Sequence, residues 1–81
     1  MYKYLVLVEK GEHNYSAYAP DVPGCVSAGD TVDETLQNFQ EALKLHLEGL
    51  LEDGDPAPPS TIAAAEFVEA AMEAPAVTRT A

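Results

Sequence analysis

The chain has one cysteine, no tryptophan and few basic side chains. The single Cys25 excludes an internal disulfide framework and a zinc site built from several cysteines. A nucleophilic thiol needs a neighbouring base or cation, and none is evident close to Cys25 in the sequence. The pattern therefore favours Cys25 as a small buried hydrophobe in a strand.

Long apolar runs and glycine-rich phosphate loops are also absent. No run approaches the roughly 20 residues that span a bilayer, and Met1-Tyr2-Lys3 leads into an alternating strand rather than a secretory signal. We expect a cytoplasmic protein without membrane contact. No metal-ligand cluster and no Ser/His/Asp arrangement can be identified, so we expect no cofactor, no metal and no catalytic residue, and hence not an enzyme.

The charge is strongly one-sided, with 14 acidic residues, 4 basic residues and a formal net charge of -10. Such a surface repels phosphates, so we expect no direct nucleic-acid binding. It attracts a basic partner and speeds that encounter. The alternative is that the acidic surface only keeps a small protein in solution.

The 81 residues allow one domain, which we place at residues 1–74, with 75–81 as a disordered tail. A chain this short buries only about 60% of the surface that its unfolded form exposes. A monomer is therefore marginally stable, and we expect a homo-oligomer, either a dimer or a tetramer.

The N-terminal half predicts an antiparallel meander of three strands. Tyr2–Lys10 alternates and is apolar on both faces in its middle, which suits a central strand. Gly11-Glu12 predicts a two-residue type II′ hairpin loop, followed by a second strand at His13–Ala19 that Pro20 ends. A type II turn with Gly24 at the position of positive φ leads into a third strand at Cys25–Ala28.

One long amphipathic helix follows, from Thr31 to about Asp53. Thr31 and Glu34 form a capping box, and Gly54 fits the residue just beyond the helix end. One apolar stripe recurs at steps of three and four residues: Val32, Leu36, Phe39, Leu43, Leu47 and Leu50.

The segment Thr61–Glu73 is ambiguous. Its alanines and glutamates favour a helix by propensity, whereas Phe67-Val68 favours a strand. A strand here would run parallel to the first or third strand after a right-handed crossover. We choose a strand near Ala65–Ala71.

Several spaced features carry a family resemblance. The run Tyr15–Thr31 contains a hairpin strand, a Pro-Asp-Val-Pro-Gly-Cys turn and a Gly-Asp-Thr entry to the helix, and a proline-containing exit follows the helix. Over Met1–Pro59 the chain resembles the HicB-like antitoxin family. The resemblance implies a partial RNase H-like fold of order β-β-β-α-β, an α+β fold in which the fourth strand lies beside the first and parallel to it.

The resemblance also implies a function. The family neutralises a small basic toxin, HicA, which cleaves mRNA, by covering the RNA-binding surface and catalytic histidine of the toxin. The antitoxin itself does no chemistry. Many members continue into a C-terminal domain that binds DNA; this sequence has none after the predicted fourth strand, so we expect no direct promoter contact. The expected partner is a HicA-like toxin or another small basic protein.

Two other functions stay open. The first is an orphan homo-oligomeric module of the same fold that regulates or contacts another protein without any toxin. The second is a metal-dependent nuclease of RNase H type using Asp21, Asp30 and Glu34, although their spacing does not require them to converge. For partner binding, the candidate residues are Asp21 and Gly24 in the shaped loop and Asp30 and Glu34 at the acidic start of the helix.

Overall fold

Three short strands and one long helix make up the fold in the computed structural model, which describes residues 1–73. The strands are β1 (Leu7–Lys10), β2 (Tyr15–Tyr18) and β3 (Val26–Gly29), and the helix is α1 (Val32–Glu52). The sheet has the order β1-β2-β3, and both pairs are antiparallel. The predicted α+β class and meander are confirmed, whereas the expected tail at 75–81 lies outside the described residues.

The β1–β2 connection differs from the predicted type II′ loop. Lys10 lies opposite Tyr15, so the connection spans four residues, and the Gly11 N–H donates to the Asn14 carbonyl at 2.7 Å. Gly11 is not among the glycines with positive φ, which a type II′ turn requires at its first central position. The observed register places Val8 opposite Ala17, and both belong to the core side of the sheet. Burial of that face sets the register.

The first strand is shorter than predicted, and it lies at an edge of the described sheet rather than in its centre. The β1–β2 register, continued toward the N-terminus, would place Leu5 opposite Pro20, which has no N–H to donate. The chain also turns there, because the Val22 N–H donates to the Ala19 carbonyl at 3.0 Å. The ladder therefore begins only at Leu7.

The predicted fourth strand at Ala65–Ala71 is not formed within residues 1–73. This segment has no regular secondary structure, and its residues are exposed. It is rich in alanine, which has a low strand propensity and little side-chain area to bury. The segment has no sheet partner within the described chain, so the preference of Phe67-Val68 for a strand is not realised there.

The helix agrees closely with its prediction. The Thr31 hydroxyl accepts from the Glu34 N–H at 3.1 Å, as in a capping box, but the Glu34 carboxylate accepts from the Asp30 N–H at 3.4 Å rather than from Thr31. At the other end Gly54 has φ 79°, and its N–H donates to the Leu51 carbonyl. The Asp55 N–H donates to the Leu50 carbonyl, which completes a Schellman motif.

The core lies between the helix and the sheet, and Phe39 is its largest fully buried side chain. From the predicted stripe Phe39 and Leu47 are buried, whereas Val32 and Leu36 are 43% and 39% exposed. The buried residue in the first turns of the helix is Thr35 instead. Partly buried side chains surround the core: Tyr4, Val6, Val8, Ala42 and Leu43.

Polar contacts join the start of the helix to β3. The Ser27 hydroxyl donates to the Thr35 carbonyl at 2.9 Å, and the Asn38 amide donates to the Ala28 carbonyl at 2.9 Å. The Thr35 hydroxyl donates to the Thr31 carbonyl at 2.7 Å, so this buried group is satisfied. The helix packs chiefly against β3, less against β2 and least against β1.

Candidate functional site

Asp21 holds the segment that follows the helix. Its carboxylate accepts two hydrogen bonds from Thr61 at 2.6 Å, one from the backbone N–H and one from the side-chain hydroxyl. The hydroxyl, then the N–H, hold the pKa of Asp21 below its usual value of 3.8. These bonds join residues 40 positions apart, and we call this pair the Asp21–Thr61 clasp.

Tyr4 makes a second attachment of the same segment. Its hydroxyl donates to the Pro58 carbonyl at 2.6 Å. Burial, and after it the nearby charges of Tyr2 and Asp21, raise the pKa of Tyr4. The phenol therefore stays protonated and keeps donating at neutral pH. Together with the clasp, this bond attaches the chain between Pro58 and Thr61 to Tyr4, which precedes β1, and to Asp21, which lies between β2 and β3.

The clasp predicts a local pH dependence. Because the folded pKa of Asp21 is lowered, its contribution to stability is present above pH 3.8 and is lost as the pH falls through the lower folded pKa. We expect the Thr61 amide signal in a two-dimensional NMR titration to change in this acid range, and the change to disappear in Asp21→Asn. Asp55→Asn, at an exposed acid, is the matched control and should leave the transition in place. A Thr61 signal indifferent to both pH and Asp21→Asn would contradict the clasp.

Gly24 lies at the predicted type II turn, and its φ is 87°. The Cys25 N–H donates to the Val22 carbonyl at 3.3 Å, which closes this turn. A Cβ atom on Gly24 would lie 3.8 Å from Cε1 of His46, in the C-terminal half of the helix. The positive φ, rather than crowding, is what favours glycine here. The prediction for the turn is confirmed, and a role of Gly24 in binding stays a prediction.

Asp30 and Glu34 lie together at the start of the helix, with Asp33 beside them. All three residues are exposed. Their negative charges are favourable at a helix N-terminus, where the backbone N–H groups carry partial positive charge. The same charges face solvent, where a basic partner can reach them.

The four residues predicted for partner binding form two separate surfaces. Gly24 approaches His46, whereas Asp30 and Glu34 adjoin Thr31, and 15 helical residues at about 1.5 Å each separate the two places by roughly 22 Å. Among residues 1–73, no group of three or more His, Cys, Asp or Glu side chains is placed to hold a metal ion. The nuclease hypothesis would need such convergence, and the structure gives it no geometric support.

Nearly all the acidic side chains are exposed to solvent. Every acidic side chain except that of Asp21 is exposed. The last turn of the helix contains no basic residue, and acids follow one another at its end: Glu52, Asp53 and Asp55. Acids at a helix C-terminus are unfavourable, so this end of the helix is less stable than it would be with lysines there. The surface as a whole offers negative charge to an approaching molecule.

Cys25 is buried in the core, as the sequence predicts, but it lies immediately before β3 rather than in a strand. Burial raises the pKa of its thiol, which disfavours the reactive thiolate. Across the described chain, no helix has both the length and the apolar character needed to cross a bilayer.

Two polar residues with structural roles were missed by sequence reasoning. In the sequence Thr61 begins the ambiguous segment Thr61–Glu73, and its neighbouring residues do not indicate that it bonds to Asp21. Thr35 lies beside the apolar stripe, where propensity gives a threonine no special role. Its burial follows from the close approach of the helix to Gly29, where an added Cβ would lie 2.8 Å from the Thr35 hydroxyl. The sequence signal that could have predicted this burial is Gly29, a glycine shortly before the Thr31 cap.

Three antiparallel strands packed on one helix, with exposed acids over the surface, define a small acidic α+β domain. Residues 4–78 match the family model of the "HicB_like antitoxin of bacterial toxin-antitoxin system". The chain belongs to this family. The resemblance seen in the sequence is thereby confirmed.

Relatives of several sizes are similar to the chain. A 14.9 kDa protein from the rep-hol intergenic region of Haemophilus phage HP1 is 47% identical over 57 residues, which are 70% of this chain and 43% of that protein. UPF0150 protein ssr1765 of Synechocystis is 42% identical over 59 residues, 72% of this chain and 75% of the relative. The chain thus spans less than half of the phage protein and most of the cyanobacterial one.

A solved structure shares the fold. A chain in the "HicA3 and HicB3 toxin-antitoxin complex" superposes with a TM-score of 0.63 at 33% sequence identity. The match covers 73% of this chain and 70% of the other.

Proposed function

We propose that this protein is an antitoxin of a type II toxin-antitoxin system, which binds a small basic HicA-like toxin and covers its RNA-binding surface. The observation that carries the proposal is the structural likeness, at 33% identity, to a chain of a HicA3–HicB3 complex. The family match over residues 4–78 supports the same function. The protein acts by binding rather than by catalysis, and its place of action is the cytoplasm.

Electrostatics supply the physical basis. A protein that binds RNA presents basic side chains to phosphates. A partner with a net charge of -10 and exposed acids competes for that basic face and is steered to it over distances of about a Debye length. The resulting complex should form quickly at low salt and weaken as salt screens the charges.

The direct test uses RNA cleavage. The protein would serve as bait in a lysate of its source organism at low salt, and a small basic protein released at high salt would be purified and assayed on mRNA. We expect stoichiometric addition of the antitoxin to abolish cleavage. Cleavage that continues at several-fold molar excess overturns the proposal. Recovery of the bait alone, as a discrete oligomer, favours instead the orphan module without a toxin.

A charge reversal locates the binding surface. We propose that Asp30 and Glu34 face the toxin, because both are exposed and adjacent at the start of the helix. Asp30→Lys combined with Glu34→Lys should weaken toxin binding about 10- to 100-fold, measured by calorimetry at low salt, while circular dichroism shows a retained fold.

The matched control carries the same change of charge at the other end of the helix. Glu48→Lys combined with Glu52→Lys also alters two exposed acids and adds favourable charge near the helix C-terminus. We expect it to change affinity less than about threefold. Equal weakening by both double variants would assign the effect to net charge, and unchanged affinity in the first would exclude that surface.

A further inference from the structure

Residues 64–73, which we call the arm, stand apart from the rest of the molecule. Phe67 is fully exposed, and Val68 and Met72 are 87% and 80% exposed. Within the described chain the arm has no strand partner and no hydrogen bond to a side chain. Several large apolar side chains exposed close together indicate a surface that binds another element or another molecule.

The dimensions agree with a projecting arm. The radius of gyration is 17.1 Å, against about 11–12 Å for a compact chain of this length. The longest extent is 57 Å, whereas a helix of 21 residues spans only about 32 Å. An arm that extends from the body agrees with this difference.

The edge of β1 lacks a neighbouring strand, just as the arm lacks a strand partner. Its only neighbour in the described sheet is β2, so one row of its backbone N–H and C=O groups has no ladder partner. The chain that enters β1 is apolar on both faces, with Val6 against the core and Leu5 and Leu7 on the opposite face. That pattern belongs to a segment that is covered on both faces.

A groove opens between the helix and residues 2–6, which lead into β1. The helix packs least against β1, and the groove is lined mainly by apolar side chains. Its lining includes Tyr2, Tyr4, Val6, Leu36, Phe39 and Leu43. A strand added to the β1 edge would direct Phe67 and Val68 to opposite faces, one into this groove and the other toward Leu5 and Leu7.

The arm and the chain around β1 carry some charges of opposite sign. The arm contains Glu66, Glu69 and Glu73 and no basic residue. β1 contains Lys10 beside Glu9, and Lys3 precedes the strand; these lysines are two of the four basic residues of the whole chain. Opposite charges on adjacent strands favour pairing, and this chain carries both members.

We propose that the arm of one copy adds as a strand to the β1 edge of a second copy, and that the exchange is reciprocal. The root of the arm, at Ile62 and Ala63, lies beside Lys3 and Leu5 of its own chain. Donor and acceptor therefore lie at the same edge of the molecule, and a two-fold axis there satisfies both copies at once. The Asp21–Thr61 clasp fixes the direction in which each arm leaves. The exchange is independent of the proposed antitoxin function.

The first experiment measures self-association of the full chain by sedimentation over a wide concentration range. We expect a dimer, and we expect Phe67→Ala with Val68→Ala to raise its dissociation constant at least about 100-fold, because two apolar side chains are lost from each copy. Leu45→Ala with Leu51→Ala is the control, since these exposed leucines lie on the helix. It should change dissociation less than about threefold. A monomer at all concentrations, or a dimer insensitive to the arm variant, overturns the exchange.

A second experiment decides which copy receives the arm. In an equal mixture of carbon-13-labelled and unlabelled protein, filtered NMR spectra report only contacts between copies. We expect such contacts between the Phe67 ring and the methyl groups of Val6 or Leu43. Contacts found only within one copy would mean that the arm closes on its own β1, and contacts that arise only after a basic partner is added would assign the arm to that partner. Either result overturns the proposal.

Discussion

Phe39→Ala should destabilise this protein more than truncation of any other core side chain. Phe39 is 2% exposed and is the largest side chain of the buried cluster that joins the helix to the sheet. Removing a buried phenylalanine ring costs about 3–5 kcal/mol, through lost transfer free energy and the cavity left behind. A domain of this length has a free energy of unfolding of about 4–12 kcal/mol, so a large share of the stability would be lost.

The measurement is urea unfolding followed by circular dichroism, compared with Leu45→Ala. Leu45 lies on the same helix but is 70% exposed, so its truncation should change the free energy of unfolding by less than about 0.5 kcal/mol. If the variant does not fold at 25 °C, hydrogen exchange at lower temperature reports the remaining protection. Equal effects of the two truncations would contradict the position of the core.

Gly29→Ala should also destabilise the protein, and for a different reason. A Cβ atom at Gly29 would lie 2.8 Å from the Thr35 hydroxyl oxygen and 2.9 Å from the Thr35 backbone nitrogen. The second of these atoms cannot rotate away, so the helix must move from β3. Overpacking of this kind costs about 1–3 kcal/mol. The displacement should also weaken the bonds from Ser27 and Asn38 that attach the helix to the strand.

Gly49→Ala is the matched control for that substitution. Gly49 lies inside the helix, and apart from the adjoining helix backbone no atom would come within 4 Å of its added Cβ. Alanine there should stabilise the protein by about 0.5–1 kcal/mol, because glycine loses more backbone entropy in a helix. Opposite signs for the two Gly→Ala changes in urea unfolding would establish the close approach at Gly29. Stabilisation by both would show that β3 and the helix have room to spare.

The two proposed surfaces occupy different parts of the molecule. The acidic residues Asp30 and Glu34 lie at the start of the helix, close to β3, whereas arm exchange uses the opposite edge of the sheet at β1. Toxin binding and self-association can therefore be disrupted by separate variants. A double charge reversal that leaves the dimer intact, and an arm variant that still inhibits RNA cleavage, would demonstrate that independence.

The sequence by itself determined the elements whose signals are local. The helix follows from the Thr31 cap, the apolar stripe and the Gly54 exit, and it begins and ends where these residues place it. The turn at Pro23-Gly24 likewise requires only two adjacent residues of fixed backbone preference. The family resemblance was also readable from the spacing of these local features, and the family match confirmed it.

Only the tertiary structure decided the contacts between distant residues. The pairing of Asp21 with Thr61, the burial of Thr35 in place of Leu36, and the four-residue β1–β2 connection all depend on which faces meet when the helix packs on the sheet. The arm shows the same limit most plainly. Its Phe67-Val68 pair has a strand preference, but within residues 1–73 this segment is not paired although the edge of β1 is open, so local preference alone does not decide whether a strand forms.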